Sequence, residues 1–113
     1  MGDQILFDNP QFVSIGEGVS FMKGCCLYAN QNGRLIIGSR CSFHLHIILG
    51  ANDGGIKLGH DVLVGPNVVF RAANHGFSRL DVAIRNQGYR GKPIMVEDDV
   101  WIGANCVILW CIS

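Results

Sequence analysis

The sequence predicts an all-β fold, a parallel β-helix of about four triangular coils, and three observations predict it. Aliphatic residues recur at a step of six, each followed by a Gly-like residue, two polar residues and a small one; Leu58-Gly59-His60-Asp61-Val62 runs straight into Val64-Gly65-Pro66-Asn67-Val68. Large apolar residues fill every first position once that register is laid along the chain. The interruptions have turn composition, as in Asn30-Gln31-Asn32-Gly33 and Asn52-Asp53-Gly54-Gly55. A fixed short period means stacked units that share one continuous core, each hexad forming one flat face and three hexads one coil of about eighteen residues.

Taken in order, the first coil starts its faces at Ile15, Phe21 and Leu27, and the second at Ile37, Phe43 and Leu49. The third uses Leu58, Val64 and Phe70, and the fourth Val96, Ile102 and Ile108. These side chains are expected to point inward and to stack on their equivalents above and below, each burial being worth about 1.5–3 kcal/mol relative to exposure. Fifth positions Val19, Cys25, Cys41, Ile47, Val62, Val68, Val100, Cys106 and Ile112 are apolar as well. Asn74 is the polar exception, and it directly precedes His75.

Coil starts lie 22, 21 and 38 residues apart, so the first two interruptions are short and the third is long. The long one begins after His75 and ends near Pro93, an excursion over 76–93 within a single domain of 113 residues. It carries Arg79, Asp81, Arg85, Tyr89 and Lys92, a mixture that suits a binding lid better than a solvated linker.

With 49% hydrophobic residues the chain is not of disordered composition, and its net charge of +0 argues against nucleic acid or a membrane surface as the main partner. No apolar run approaches a membrane span and Met1-Gly2-Asp3 begins no signal peptide, so a cytoplasmic location is expected. The five cysteines contain no C-x-x-C pair. Three of them stand at fifth positions and read as small buried hydrophobes in a reducing compartment.

Asn74-His75, the excursion ending Gly91-Lys92-Pro93-Ile94, and Glu97-Asp98-Asp99-Val100-Trp101-Ile102-Gly103-Ala104-Asn105 together resemble the hexapeptide-repeat acyltransferases, in particular the sugar and polysaccharide O-acetyltransferases. The similarity runs from about Ile15 to the end of the chain. The resemblance implies a left-handed β-helix, assembly as a homotrimer with active sites in the clefts between subunits, and acetyl-CoA as the acyl donor. A sugar hydroxyl must lose its proton as it attacks a thioester, and a histidine titrating near neutrality is the natural base. The resemblance assigns that role to His75. It implies acceptor contacts from Asn74 and from Arg79, Asp81, Arg85 and Tyr89 on the excursion. Trp101, Gly103 and Ala104 match the family segment beside the donor.

His44 and His46 leave two readings open. In relatives this region holds asparagines that contact the acceptor, and imidazoles can replace them as donors and acceptors. Equally, both can be solvent-facing residues between the inward Phe43 and Ile47. His60, at a third position, reads as surface. Four histidines on a β-helix also raise a zinc site of the gamma-type carbonic anhydrase kind, but no two of them stand five apart, and no metal is expected.

The segment Ile108-Leu109-Trp110-Cys111-Ile112-Ser113 still scans as a hexad, whereas family members continue with further coils that help to hold CoA. The expectation from this shortened ending is weak CoA binding. It leaves two functions open: acetyl transfer to a sugar-like hydroxyl, or a catalytically impaired trimeric remnant that binds a small molecule.

Overall fold

The computed structural model describes residues 5–75, 89–91 and 93–109. The chain enters through β1 (Leu6–Asp8) and a single 3₁₀ turn at Pro10–Phe12. Three consecutive passes then run through β2 (Val13–Ile15), β3 (Ser20–Phe21) and β4 (Cys26–Tyr28); β5 (Leu35–Ile37), β6 (Ser42–Phe43) and β7 (Ile48–Gly50); and β8 (Ile56–Leu58), β9 (Leu63–Val64) and β10 (Val69–Arg71). After β10 the chain leaves the prism through β11 (Ala73–His75) and returns through β12 (Tyr89–Gly91). A further pass follows as β13 (Ile94–Val96), β14 (Trp101–Ile102) and β15 (Val107–Leu109).

Equivalent strands stack into three parallel sheets. The first face is ordered β13-β8-β5-β2, the second β14-β9-β6-β3, and the third β1-β4-β7-β10-β15. The pairings follow the register read from the hexads. Ile15 lies against Ile37, Ile37 against Leu58, and Leu58 against Val96. Phe21, Phe43, Val64 and Ile102 form the second column, and Leu27, Leu49, Phe70 and Ile108 the third. This architecture fits a left-handed parallel β-helix.

The interior is apolar, with no buried polar or charged residue among those described. Phe43, Phe70, Leu27, Leu49 and Leu58 are fully enclosed. Stacking strands in register brings like side chains one strand spacing apart, about 4.7–4.9 Å. The Phe21 and Phe43 rings accordingly stack with centroids 4.7 Å apart and planes inclined by 10°. Ile15, Val96, Ile102 and Ile108, on the first and last passes, are only partly buried because each has a neighbour on one side.

Each pass turns its first two corners through a left-handed residue at the fourth hexad position. Gly18, Arg40, Asp61 and Asp99 share one corner, and Gly24, His46, Asn67 and Asn105 the next, all with φ between 57° and 82°. Asn and Asp tolerate this conformation better than other non-glycine residues because their short side chains bond locally. Arg40 and His46 are the costlier occupants. β1 was not visible as part of the repeat: it adds a strand beneath β4, with Phe7 paired to Leu27, so that the third inward column is extended by one ring. Phe12 packs against the same end of the core and lies 5.4 Å beneath the Arg34 guanidinium.

Candidate functional site

The excursion is anchored at its root. β11 and β12 pair antiparallel, with Ala73 opposite Gly91, Asn74 opposite Arg90, and His75 opposite Tyr89. His75 therefore sits on a paired strand that leaves the prism where the third face ends. Tyr89, expected on the lid, is the first residue of the returning strand. Arg79, Asp81 and Arg85 lie outside the described residues.

On the third face, just before this root, the outward residues are Tyr28, Gly50 and Arg71, one above the other in register. With no side chain at Gly50, a cleft opens between its two large neighbours. Its volume is about 490 Å³, and Asn52, Asp53, Ile48 and Phe70 complete its lining. The floor is built by a fixed polar turn. Asn30 Nδ2 donates to Asp53 Oδ1 at 3.0 Å, and the Asp53 backbone N–H donates to Asn30 Oδ1 at 3.1 Å. Asn52 Oδ1 is buried and has no hydrogen-bond partner among the described residues. Arg71 is exposed, and among the described residues no carboxylate pairs with it.

The second face presents a different surface. His44 and Trp101 line one shallow groove of about 290 Å³, together with Met22, Leu63, Ser20 and Ser42. Trp101 is 76% exposed, an unusual state for an indole. The His44 imidazole is oriented by its own loop, since the Leu45 backbone N–H donates to Nδ1 at 2.9 Å. In the neutral ring the other nitrogen, Nε2, then carries the proton and faces outward as a donor.

His46 stands at the following corner, in the left-handed conformation. Its N–H donates to the Lys23 carbonyl at 3.2 Å. The imidazole lies so close over Gly24 that a Cβ there would collide with it. Gly103 has open space where a side chain would project, and Gly103 and Ala104 pack their backbone over Gly65.

One chain thus gathers His44 with Trp101, whereas His75 leaves from the far end of the third face. A site that uses all three draws on more than one face of the prism. Sequence reasoning missed Tyr28, Asn52 and Arg71. The signal was a glycine at the second hexad position between two large polar residues, legible only once the coils are stacked. A more open hollow of about 500 Å³ on the first face, beside Lys57, Met95, Glu97 and Asp98, contains none of the expected site residues.

The buried cysteines are poor nucleophiles. Burial pushes the Cys25 and Cys41 thiols above their ordinary range. Their sulfurs lie within hydrogen-bonding distance of carbonyl oxygens, Cys25 Sγ 3.2 Å from His44 O and Cys41 Sγ 3.1 Å from Gly59 O. Among the described residues no group of three or more His, Cys, Asp or Glu side chains is placed to hold a metal ion, and no helix is long and apolar enough to cross a membrane.

Comparison with known proteins finds acetyltransferases. The chain is 33% identical over 101 residues to the galactoside O-acetyltransferase of Lactococcus lactis subsp. lactis (strain IL1403), covering 87% of this chain and 45% of that protein. It is 42% identical over 55 residues to a provisionally named acetyltransferase of Schizosaccharomyces pombe, covering 48% of this chain and 25% of that protein. Over 83 residues it is 24% identical to the polysialic acid O-acetyltransferase of Escherichia coli O1:K1 / APEC, covering 74% of this chain and 27% of that protein. The chain therefore spans less than half the length of each of these relatives. No family model matches it, and no solved structure matches it significantly. With its hexads stacked into three parallel sheets, and with these relatives, the chain fits the hexapeptide-repeat acetyltransferase family.

Proposed function

We propose that this chain transfers an acetyl group from acetyl-CoA to a hydroxyl of a sugar-like acceptor, with His75 as the general base. The observation that carries this reading is the paired root of the excursion, which holds the His75 backbone against Tyr89, four residues along the chain from Arg71 in the lining of a polar cleft. A base must be held rigidly and yet reach substrate, and a paired strand that follows the lining of an open cleft meets both needs. His75 takes the proton of the acceptor hydroxyl as its oxygen attacks the acetyl carbonyl, and passes that proton to the departing thiolate. Acetyl-CoA supplies an acyl carbon activated by a good leaving group.

The donor's place is argued from the second face. The exposed Trp101 indole offers an apolar wall, and the open space at Gly103 lets an extended chain lie close to the backbone. Asn74 and Tyr89 flank the base along the root, and Arg79, Asp81 and Arg85 on the excursion are further acceptor contacts. His44 and His46 would join them from another subunit of a homotrimer, because within one chain they project from a different face than the one His75 leaves. Trp101 and Leu63 stand exposed in register and share a groove with Met22, the kind of surface that a second copy covers.

The test is transfer of radiolabelled acetyl from acetyl-CoA to a panel of mono- and oligosaccharides, with free thiol release followed in parallel. Sugar-dependent turnover that falls by about 10²–10⁴-fold in His75→Ala supports the assignment. Equal rates in both proteins, or no turnover with any acceptor, overturn it.

A further inference from the structure

The cleft between Tyr28 and Arg71 has a chemistry more specific than that of a generic sugar site. Its volume, about 490 Å³, lies within the range of small-ligand pockets and accommodates one or two sugar rings. Three polar groups converge on it. Arg71 brings a guanidinium with no carboxylate partner among the described residues. Asn52 adds an amide to the lining, its Oδ1 buried and without a hydrogen-bond partner among the described residues. Tyr28 brings a phenol at the opposite wall. The one carboxylate in the lining, Asp53, is already engaged by Asn30 through both its side chain and its backbone.

We infer that this cleft recognises a sugar carrying a carboxylate, an acidic acceptor of the uronic acid type. Arg71 pairs with the carboxylate, and the ring lies across the Gly50 notch toward Tyr28. The planar guanidinium fork matches a carboxylate in two parallel hydrogen bonds, which neither a neutral sugar nor a single hydroxyl can reproduce. Gly50 matters by what it lacks: a bulky side chain at that position would occupy the notch between Tyr28 and Arg71. Arg71 precedes β11 by two residues, so a carboxylate held there sets the register of the ring relative to the strand that carries His75. The inference rests on the proposed transferase reading only in calling the bound sugar an acceptor. Binding itself needs no acetyl donor.

The experiment is calorimetric titration of the full chain, without acetyl-CoA, with methyl glucuronide and methyl galacturonide and with the corresponding neutral methyl glycosides. The parent protein is compared with Arg71→Gln and Tyr28→Phe, whose folds are checked by circular dichroism. A uronide binding about tenfold or more tighter than its neutral counterpart is expected, with that preference lost in Arg71→Gln and retained in Tyr28→Phe. Adenosine 3′,5′-bisphosphate forms a second arm, because a phosphate of CoA offers the same anionic chemistry. If the bisphosphate binds in an Arg71-dependent way and the uronides do not, the cleft is a donor site and the inference falls. Equal affinity for charged and neutral sugars, no binding of any of them, or a preference that survives Arg71→Gln overturns it as well. Transfer to neutral sugars that ignores Arg71 keeps the transferase and removes this inference. Arg71-dependent uronide binding without any transfer does the reverse.

Discussion

The backbone N–H of Ser39 donates to Nδ1 of His60 at 2.8 Å, from one coil to the next. The bond is one rung of a ladder along a single corner. The Glu17 N–H donates to Ser39 Oγ at 3.2 Å, and the His60 N–H donates to Asp98 Oδ1 at 2.7 Å. Each third-position side chain thus satisfies a corner N–H of the coil before it, which the sheet ladders leave unpaired. His60 is exposed, as its position in the hexad suggested, but its ring has a structural task that exposure alone does not reveal.

Replacing His60 separates these roles. His60→Asn keeps an acceptor at the corner, while His60→Leu removes it. The leucine variant is expected to lose about 0.5–1.5 kcal/mol, near the lower end because the site is solvated, and the asparagine variant to keep most of that stability. Urea unfolding of the two proteins measures the difference. Equal midpoints would mean that water replaces the imidazole at no cost.

The stacked pair Phe21 and Phe43 sets the tolerance of the core. Phe43 is enclosed between Phe21 below and Val64 above, so truncation opens a cavity that neither neighbour can fill without breaking strand register. Phe43→Ala is expected to cost about 3–5 kcal/mol, a large part of the 5–15 kcal/mol typical of a domain. Phe43→Leu should retain a cooperative transition at an intermediate midpoint. A parent-like midpoint for the alanine variant in chemical denaturation would show that the column is not tightly coupled.

Arg40 and Asp61 form an ion pair at the same corner, with Nε to Oδ1 at 2.9 Å and Nη2 to Oδ2 at 3.1 Å. The hydrogen bond from Arg40 holds the Asp61 carboxyl below the usual carboxylate range, and the same bond raises the guanidinium. A depressed folded-state value makes the pair's contribution fully present above the ordinary titration of aspartate, and it is lost as pH falls through the depressed value. The Tm difference between the parent and Asp61→Asn should therefore be constant near neutrality and vanish on acidification. It should also shrink with added salt, since both side chains are solvated. A difference that persists in acid would assign the effect to the left-handed backbone at Asp61 rather than to its charge.

Much of the fold was legible because the period is carried by large inward side chains. Ile15, Ile37, Leu58 and Val96 define the first column in sequence and in space alike. The rest was hidden for identifiable reasons. β1 belongs to no hexad and is recruited by the open edge of β4, so only tertiary pairing reveals it. The return of Tyr89–Gly91 onto Ala73–His75 joins residues far apart in sequence whose alternation is too short to read as strands. The cleft depends on Tyr28, Gly50 and Arg71 meeting across coils whose spacing is set by two different turn insertions. Asn30, legible only as a turn residue, is the group that ties up Asp53 and leaves Arg71 as the cleft's available charge.

The separation of His75 from His44 and Trp101 within one chain makes a prediction about assembly. If each site of the proposed trimer takes His75 from one subunit and the Trp101 face from its neighbour, His75→Ala and Trp101→Ala chains complement one another. Each homotrimer alone has every site damaged. In randomly mixed trimers one site in four, roughly, combines an intact His75 with an intact Trp101 face, so mixing equal amounts through a denaturation and refolding cycle should restore about a quarter of parent activity. The measurement is acetyl transfer before and after co-refolding, with unmixed refolded variants as controls. Trp101→Ala removes an exposed side chain and is expected to leave the coil intact, so a failure to complement is not explained by misfolding. Recovery near zero from two well-folded, inactive variants would mean that both residues serve the same site from the same chain.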